Sequence, residues 1–237
     1  MAEKTDGRPR YQQIAADLRA AIMLGDLPVG GKLPSVRQLE SQFSTTSRTI
    51  QEALAVLRAE GHIESKQGQG IFVLARQPHA VDATAYVVPT ATGYQYNIVD
   101  VQEVVPPADV ATAFGLDEGE QALLRKRLTT LGGKPLEVDR SYYPLAIVAG
   151  TELAGRKRVK GGAPRVLAEA GHPQRYFVDR VSTRPPTTEE LELLGIPETV
   201  PIIQQFRIIY TDHDRPVEVS VLAKPGNLYE LRYQTTI

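Results

Sequence analysis

The second half of this chain repeats itself, and the repeat limits its fold more than any other feature of the 237 residues. Ala111-Thr112-Ala113-Phe114-Gly115-Leu116 leads through Leu124-Arg125-Lys126-Arg127-Leu128 and Gly133-Lys134-Pro135-Leu136-Glu137-Val138 to Tyr143-Pro144. A second pass runs Glu192-Leu193-Leu194-Gly195-Ile196, Gln204-Gln205-Phe206-Arg207-Ile208, Asp214-Arg215-Pro216-Val217-Glu218-Val219 and Lys224-Pro225. Gly115 and Gly195 lie 80 residues apart, as do Arg127 and Arg207; Glu137 and Glu218 are offset by 81, as are Pro144 and Pro225. Each unit reads as a helix, a strand, a turn containing Gly or Asp, and a returning strand. Two copies then pair into one antiparallel sheet with helices against it. The expectation is an α+β domain with pseudo-twofold halves and a cleft between them.

The first third has a different period. Tyr11, Ile14, Ala15, Leu18 and Ile22 recur at helical spacing, with Gly25 placed as a cap. After the breaker stretch Leu27-Pro28-Val29-Gly30-Gly31, Ser35 and Gln38 form a capping box opening a short helix that ends near Phe43. Ser44-Thr45-Thr46 then make a turn with Thr46 as N-cap. Ile50, Ala53, Leu54 and Leu57 mark the inward side of a third helix that runs toward Gly61. This periodicity throws Arg48 and Glu52 outward and puts Ser47 and Gln51 on the flank. His62–Ser65 and Ile71–Leu74 read as strands around the tip Lys66-Gln67-Gly68-Gln69-Gly70. Three helices and a hairpin make a winged helix-turn-helix. The predicted boundaries are a tail at 1–7, a first domain at 8–75, a linker at 76–85 and a second domain at 86–237.

Tyr11-x-x-Ile14-x-x-x-Leu18-x-x-x-Ile22-x-x-Gly25, Leu33-Pro34-Ser35-x-Arg37-x-Leu39, Ala53-Leu54-x-x-Leu57-x-x-Glu60-Gly61-x-Ile63 and Gly68-x-Gly70-x-Phe72-Val73 together resemble the GntR-type bacterial repressors. The resemblance implies a dimer that reads an inverted repeat in double-stranded DNA through the second and third helices, with the wing in the adjacent minor groove. It implies a DNA-facing set of Arg10, Ser35, Arg37, Thr46, Ser47, Arg48, Thr49, Gln51, Lys66, Gln67, Gly68 and Gln69, with Arg37 in the Leu-Pro-Ser motif. Lys66, Arg10 and Arg58 fit phosphate contacts, which set affinity without specifying bases. The family's frequent Ser-Arg-x-Thr-Val-Arg aligns with Thr46-Ser47-Arg48-Thr49-Ile50-Gln51, so both usual arginines are replaced. Glutamine matches adenine where arginine matches guanine, so the operator is expected to depend less on guanine where Gln51 reads.

The repeated half resembles the UTRA effector domain of the HutC branch, whose fold is similar to that of chorismate lyase. That resemblance implies that Arg125 and Arg127 hold an anionic group of a small effector and that Glu137 fixes its polar remainder, with Tyr229 at the pocket edge. Two guanidiniums two residues apart on one strand face also suit a phosphate or carboxylate physically. Arg207 and Glu218 are their counterparts in the second unit, where Gln205 replaces the first arginine; Arg175 and Tyr176 are further candidates. The alternative reading of Arg125, Arg127, Arg207 and Glu218 is a cross-strand ladder of ion pairs on an exposed face. Arg156-Lys157-Arg158-Val159-Lys160 reads as a solvated basic loop.

Composition narrows the chemistry. The chain has no cysteine, which excludes disulfides, thiolate metal sites and thiol nucleophiles. His62, His79, His172 and His213 are scattered without metal-ligand spacing, and no nucleophile elbow or phosphate-binding loop occurs. No catalytic residue, metal or cofactor is expected. The net charge of -1 offers no general attraction to nucleic acid, though ten bases stand against eight acids up to Arg76. Without an apolar run of membrane-spanning length, the expected location is cytoplasmic with no membrane partner. Two other functions stay open: a repressor whose second domain only dimerises, and a chorismate-lyase-like enzyme, for which fold analogy is a weak warrant.

Overall fold

The computed structural model describes residues 6–75, the backbone of 79–82, and residues 94–234. Residues 1–5 of the expected tail, and residues 76–78 and 83–85 of the expected linker, lie outside the described residues; the rest of that linker, His79–Asp82, is strand. The chain divides into two compact units, residues 1–78 and 79–237.

In the first unit, helix α1 (Arg10–Leu24) ends on Gly25, whose left-handed φ of 88° lets its N–H reach the Ile22 carbonyl. Helix α2 (Val36–Phe43) starts with the expected Ser35/Gln38 capping box, and Thr46 caps α3 (Ser47–Ala59). Ile14, Leu18, Leu39, Ile50, Leu54 and Leu57 form one buried core. Arg19 on α1 donates two hydrogen bonds, at 2.9 and 2.8 Å, to the Glu60 carboxylate at the end of α3. The wing pairs β1 (Ile63–Lys66) with β2 (Gly70–Val73). It also has a third rail that periodicity misses, because the stretch after α1 carries Pro28, Gly30 and Gly31. The Leu33 N–H donates to the Ile71 carbonyl at 2.8 Å and the Val73 N–H to the Gly31 carbonyl at 2.9 Å. Gly70 suits this turn because its φ of 118° is one that residues carrying a Cβ rarely adopt.

The second unit contains β3 (His79–Asp82), β4 (Tyr94–Val104), α4 (Ala108–Phe114), β5 (Ala122–Leu131), β6 (Lys134–Pro144), α5 (Leu145–Val148), α6 (Gly162–Glu169), β7 (Tyr176–Arg184), α7 (Thr188–Leu194), β8 (Ile202–Tyr210), β9 (Pro216–Pro225) and β10 (Tyr229–Arg232). Six strands form an antiparallel sheet in the order β4-β5-β6-β9-β8-β7. The order is a mirror about the β6/β9 seam, which is the pseudo-twofold arrangement expected from the repeat. Each copy proves longer than its sequence signature, since β4 and β7 each precede their unit as an edge strand. A short parallel pair, β3 with β10, stands apart from the main sheet.

Alternation along the strands separates two faces. Leu124, Tyr142, Phe206 and Val219 pack with Val110 of α4, while Val138, Ile202 and Ala223 pack with Leu194 of α7. The opposite face places Leu123, Tyr143 and Ile209 against Val148, Leu153, Val166 and Leu167 from the α5–α6 segment. On the α7 side, fully buried Glu190 accepts two 2.7 Å hydrogen bonds from Arg184 and one of 3.1 Å from Arg140. Burial alone would raise this carboxyl. The Arg184 hydrogen bonds, the Thr187 N–H and the Arg140 charge outweigh it and hold the pKa at about 2.

Candidate functional site

The first unit gathers one exposed polar surface. Ser47, Arg48 and Gln51 are exposed along the first turns of α3, because Ile50, Ala53, Leu54 and Leu57 fix its buried side. Arg48 pairs with Glu52, four residues on, at 3.0 Å. The Thr46 hydroxyl accepts the Thr49 N–H at 3.4 Å and the Ser35 hydroxyl accepts that of Gln38 at 3.3 Å, so these two side chains set helix starts. Arg37 is exposed on α2. Arg10 donates to the Phe43 carbonyl at 3.0 Å, bracing α1 against the end of α2. At the wing tip the Gln69 N–H closes a turn on the Lys66 carbonyl at 3.0 Å, and Gly68, at φ 70°, supplies the positive φ the turn needs. Gln67 and Gln69 are exposed beside it. Lys66 lies 3.2 Å from Glu64 and 5.0 Å from the Phe72 ring centre. Arg58 donates to the Ser65 hydroxyl at 2.9 Å, which ties α3 to the wing.

In the second unit the α5–α6 side of the sheet carries a largely buried polar cluster. Four cations, Arg125, Arg127, Arg207 and Lys224, stand among four carboxylates, Glu137, Asp139, Asp179 and Glu218. Register explains the pairs. Arg127 lies opposite Asp139 and Arg207 opposite Asp179, while Ser141 faces Ser220 across the pseudo-twofold seam. Arg127 bonds Asp139 and also Ser141, at 3.1 Å. Arg207 makes two 2.7 Å hydrogen bonds to Asp179 and stacks 3.7 Å from the Phe177 ring centre. Lys224 pairs with Glu137 at 2.6 Å, and the buried Tyr229 hydroxyl donates to the same carboxylate at 3.2 Å. Glu218 accepts from Ser220 at 2.8 Å, Ser141 at 3.2 Å and Gln174 at 3.1 Å. Burial pushes its carboxyl above the usual range, only partly offset by Arg127 and the two serines.

Two expectations need correction. Arg125 and Arg127 share a strand face, but they do not form an open fork. The Arg125 guanidinium donates to the backbone carbonyls of Leu153, of Gly155 at 2.5 Å and of Lys157 at 3.2 Å. The cause is the α5–α6 insertion, which follows only the first of the two sheet repeats and lays backbone acceptors over that strand. Arg175 and Tyr176 are not brought to the cluster either. Arg175 pairs with Asp212 and Tyr176 with Asp214, both exposed, and the Tyr176 ring stacks on Tyr210. Their neighbour Gln174 reaches Glu218 instead. The alternative ladder of ion pairs holds in part: Arg127 and Arg207 pair across strands, largely buried rather than exposed, while Arg125 binds backbone carbonyls.

Sequence reasoning missed Asp139, Ser141, Asp179, Ser220 and Lys224. The signal was present for most of them: counting by twos from Glu137 gives Asp139 and Ser141, and from Glu218 gives Ser220. Tyr96 was missed as well. Its hydroxyl is buried without a hydrogen-bond partner among the described residues. Burial, then nearby Glu137, push this phenol up to about 12, while Arg127 and Arg158 pull the other way. Among the described residues no group of three or more acidic, histidine or cysteine side chains is placed to hold a metal, and no helix is long and apolar enough to cross a membrane.

Comparison with known proteins agrees with this division. Residues 10–73 match the model of the bacterial regulatory proteins, gntR family, and residues 92–230 match that of the UTRA domain. An uncharacterised HTH-type transcriptional regulator of Streptomyces coelicolor is 27% identical over 251 residues, covering 95% of this chain and 92% of that protein. The Exu regulon transcriptional regulator of Escherichia coli K12 is 40% identical over 76 residues, 32% of this chain and 30% of its own length. The crystal structure of PhnF from Mycobacterium smegmatis has the same fold, with a TM-score of 0.56 at 20% identity over 94% of this chain and 99% of that one.

Proposed function

This chain belongs to the UTRA-domain family of gntR-type bacterial regulatory proteins and is a DNA-binding transcriptional regulator, and we propose that it is a cytoplasmic repressor working as a homodimer on an inverted-repeat operator. The exposed start of α3 supports this most directly. Ser47, Arg48 and Gln51 stand clear of the core on a helix braced by α1 and the wing, where their side chains can meet base edges in a major groove. Arg37, with Ser35, Thr46 and Thr49 beside it, borders the same surface, and Arg10 and the wing tip Lys66-Gln67-Gly68-Gln69 serve the phosphates and the minor groove.

The second unit is the sensor in this reading. A small polar effector docks over the face where Arg127, Glu137, Arg207, Glu218 and Tyr229 converge, while Arg125 holds the loop beside it. An effector that prefers the dimer state unable to occupy both half-sites weakens DNA binding by its own preference in free energy. One observation favours a second reading, a domain that only dimerises: every cation of the sheet cluster already has a partner in the protein.

Selection from random duplex DNA tests the DNA half. The enriched sequence is expected to be an inverted repeat, and Gln51→Arg is expected to move one position of each half-site from adenine toward guanine by roughly 1–3 kcal/mol. Enrichment of a single asymmetric site would refute the dimeric reading, and an unchanged base preference in Gln51→Arg would refute the role of Gln51.

A further inference from the structure

We propose that the anionic group of the effector is held not by the arginines of the sheet but by Arg158 and Lys157, on the loop that Arg125 fastens over it. The inference rests on the effector-domain reading and names the residues and the ligand chemistry of that site.

Arg127, Arg207 and Lys224 are each ion-paired and the Arg125 guanidinium is taken up by backbone carbonyls, so an anion laid upon the sheet cluster would have to break one of these contacts or share a cation already engaged. An extra positive charge must come from outside the sheet. Arg156-Lys157-Arg158 supplies three, of which Arg156 pairs with Asp100 at 3.1 Å. Lys157 and Arg158 are exposed and make no ion pair or side-chain hydrogen bond among the described residues.

The loop is also fixed in the right place. Arg125 grips the carbonyls of Gly155 and Lys157, and Val159 packs into the apolar cluster of the same sheet face. Arg158 therefore stands between two anchored neighbours. Tyr96 on β4 stands in register with Thr129 of β5 and, through it, with Glu137 of β6, and the Arg158 charge opposes the rise of its phenol. The Tyr96 hydroxyl is a buried donor with no protein partner among the described residues, so an oxyanion at Arg158 would find a second donor there. A guanidinium offers a planar fork to two oxygens, and the lysine adds a mobile point charge. Two free cations match a dianion. The ligand class is a small phosphate monoester whose hydroxyl or amine groups meet Glu137 and Asp139.

The test uses the full chain and inorganic phosphate as probe, titrated at constant ionic strength and followed by 31P NMR and calorimetry. Wild type is expected to bind phosphate, Arg158→Gln to bind it at least tenfold more weakly, and Arg158→Lys to fall between them, all with unchanged thermal unfolding. Arg180→Gln, an exposed arginine paired with Asp109 of α4, is expected to bind as wild type. Phosphate binding by Arg158→Gln equal to wild type would overturn the loop assignment while leaving the sensor reading intact. A wild type that binds DNA but no phosphate would overturn the inference and the anionic effector together. Phosphate binding lost in Arg158→Gln, with no effect of any ligand on DNA affinity, would uphold the site and refute only its coupling to DNA.

Discussion

Glu190→Gln is expected to lower the unfolding temperature of the second unit by about 10 °C at neutral pH, whereas Glu218→Gln is expected to leave it level or raise it. Both carboxyls are buried and both belong to α7 or the sheet, yet their surroundings differ in sign. Glu190 sits between Arg184 and Arg140 with its pKa at about 2, well below its ordinary 4.5. Its charge therefore stabilises the fold at all pH above about 4.5, a contribution of roughly 3 kcal/mol that is lost as pH falls toward 2. For a unit of this size 1 kcal/mol moves the midpoint by roughly 2–4 °C. Glu218 has the opposite balance, because burial lifts its pKa. Its protonated form is the better fit, so its contribution is complete below its unfolded pKa and is lost as pH rises through the folded one. Thermal unfolding of the two variants between pH 3 and 8 should give curves that diverge from wild type at opposite ends. Equal curves for both variants would refute this assignment of charge.

Arg125→Ala is expected to cost about 3 kcal/mol, since it removes a charged donor from three backbone carbonyls, two of them in the loop that Arg156 and Val159 also tie to the sheet. Hydrogen exchange should quicken at 153–160 while the first unit is unaffected. An Arg125→Ala protein with wild-type stability and exchange, but without ligand binding, would return Arg125 to the role the family resemblance implies.

Local chemistry made the first unit readable. Ser35 with Gln38, Thr46, Gly25 and the apolar spacing each act within a few residues, and all of them sit where the sequence puts them. The wing's third rail did not show, because its partners Gly31 and Leu33 reach β2 across the whole of α2 and α3. In the second unit the repeat revealed one antiparallel sheet of two related halves, but neither its strand order nor the leading strands β4 and β7, whose exposed outer edges blur the alternation. The site divides the same way. The residue spacing correctly puts Arg125 and Arg127 on one face, while what each arginine touches depends on cross-strand register and on where the α5–α6 segment lies. Neither is encoded near those arginines in the chain. Arg175 shows the limit at one residue's resolution: Gln174 turns in to Glu218 and Arg175 turns out to Asp212.

The central claim is that a small molecule bound in the second unit sets the affinity of the first for DNA. The most direct measurement is fluorescence anisotropy of the selected operator with the full chain, across phosphorylated sugars, carboxylates and amino-acid catabolites, beside thermal unfolding with the same compounds. At least one compound is expected to raise the unfolding temperature and weaken DNA binding, with DNA weakening the compound's own affinity by the same factor. A compound that binds the second unit tightly and leaves operator affinity unchanged would contradict it.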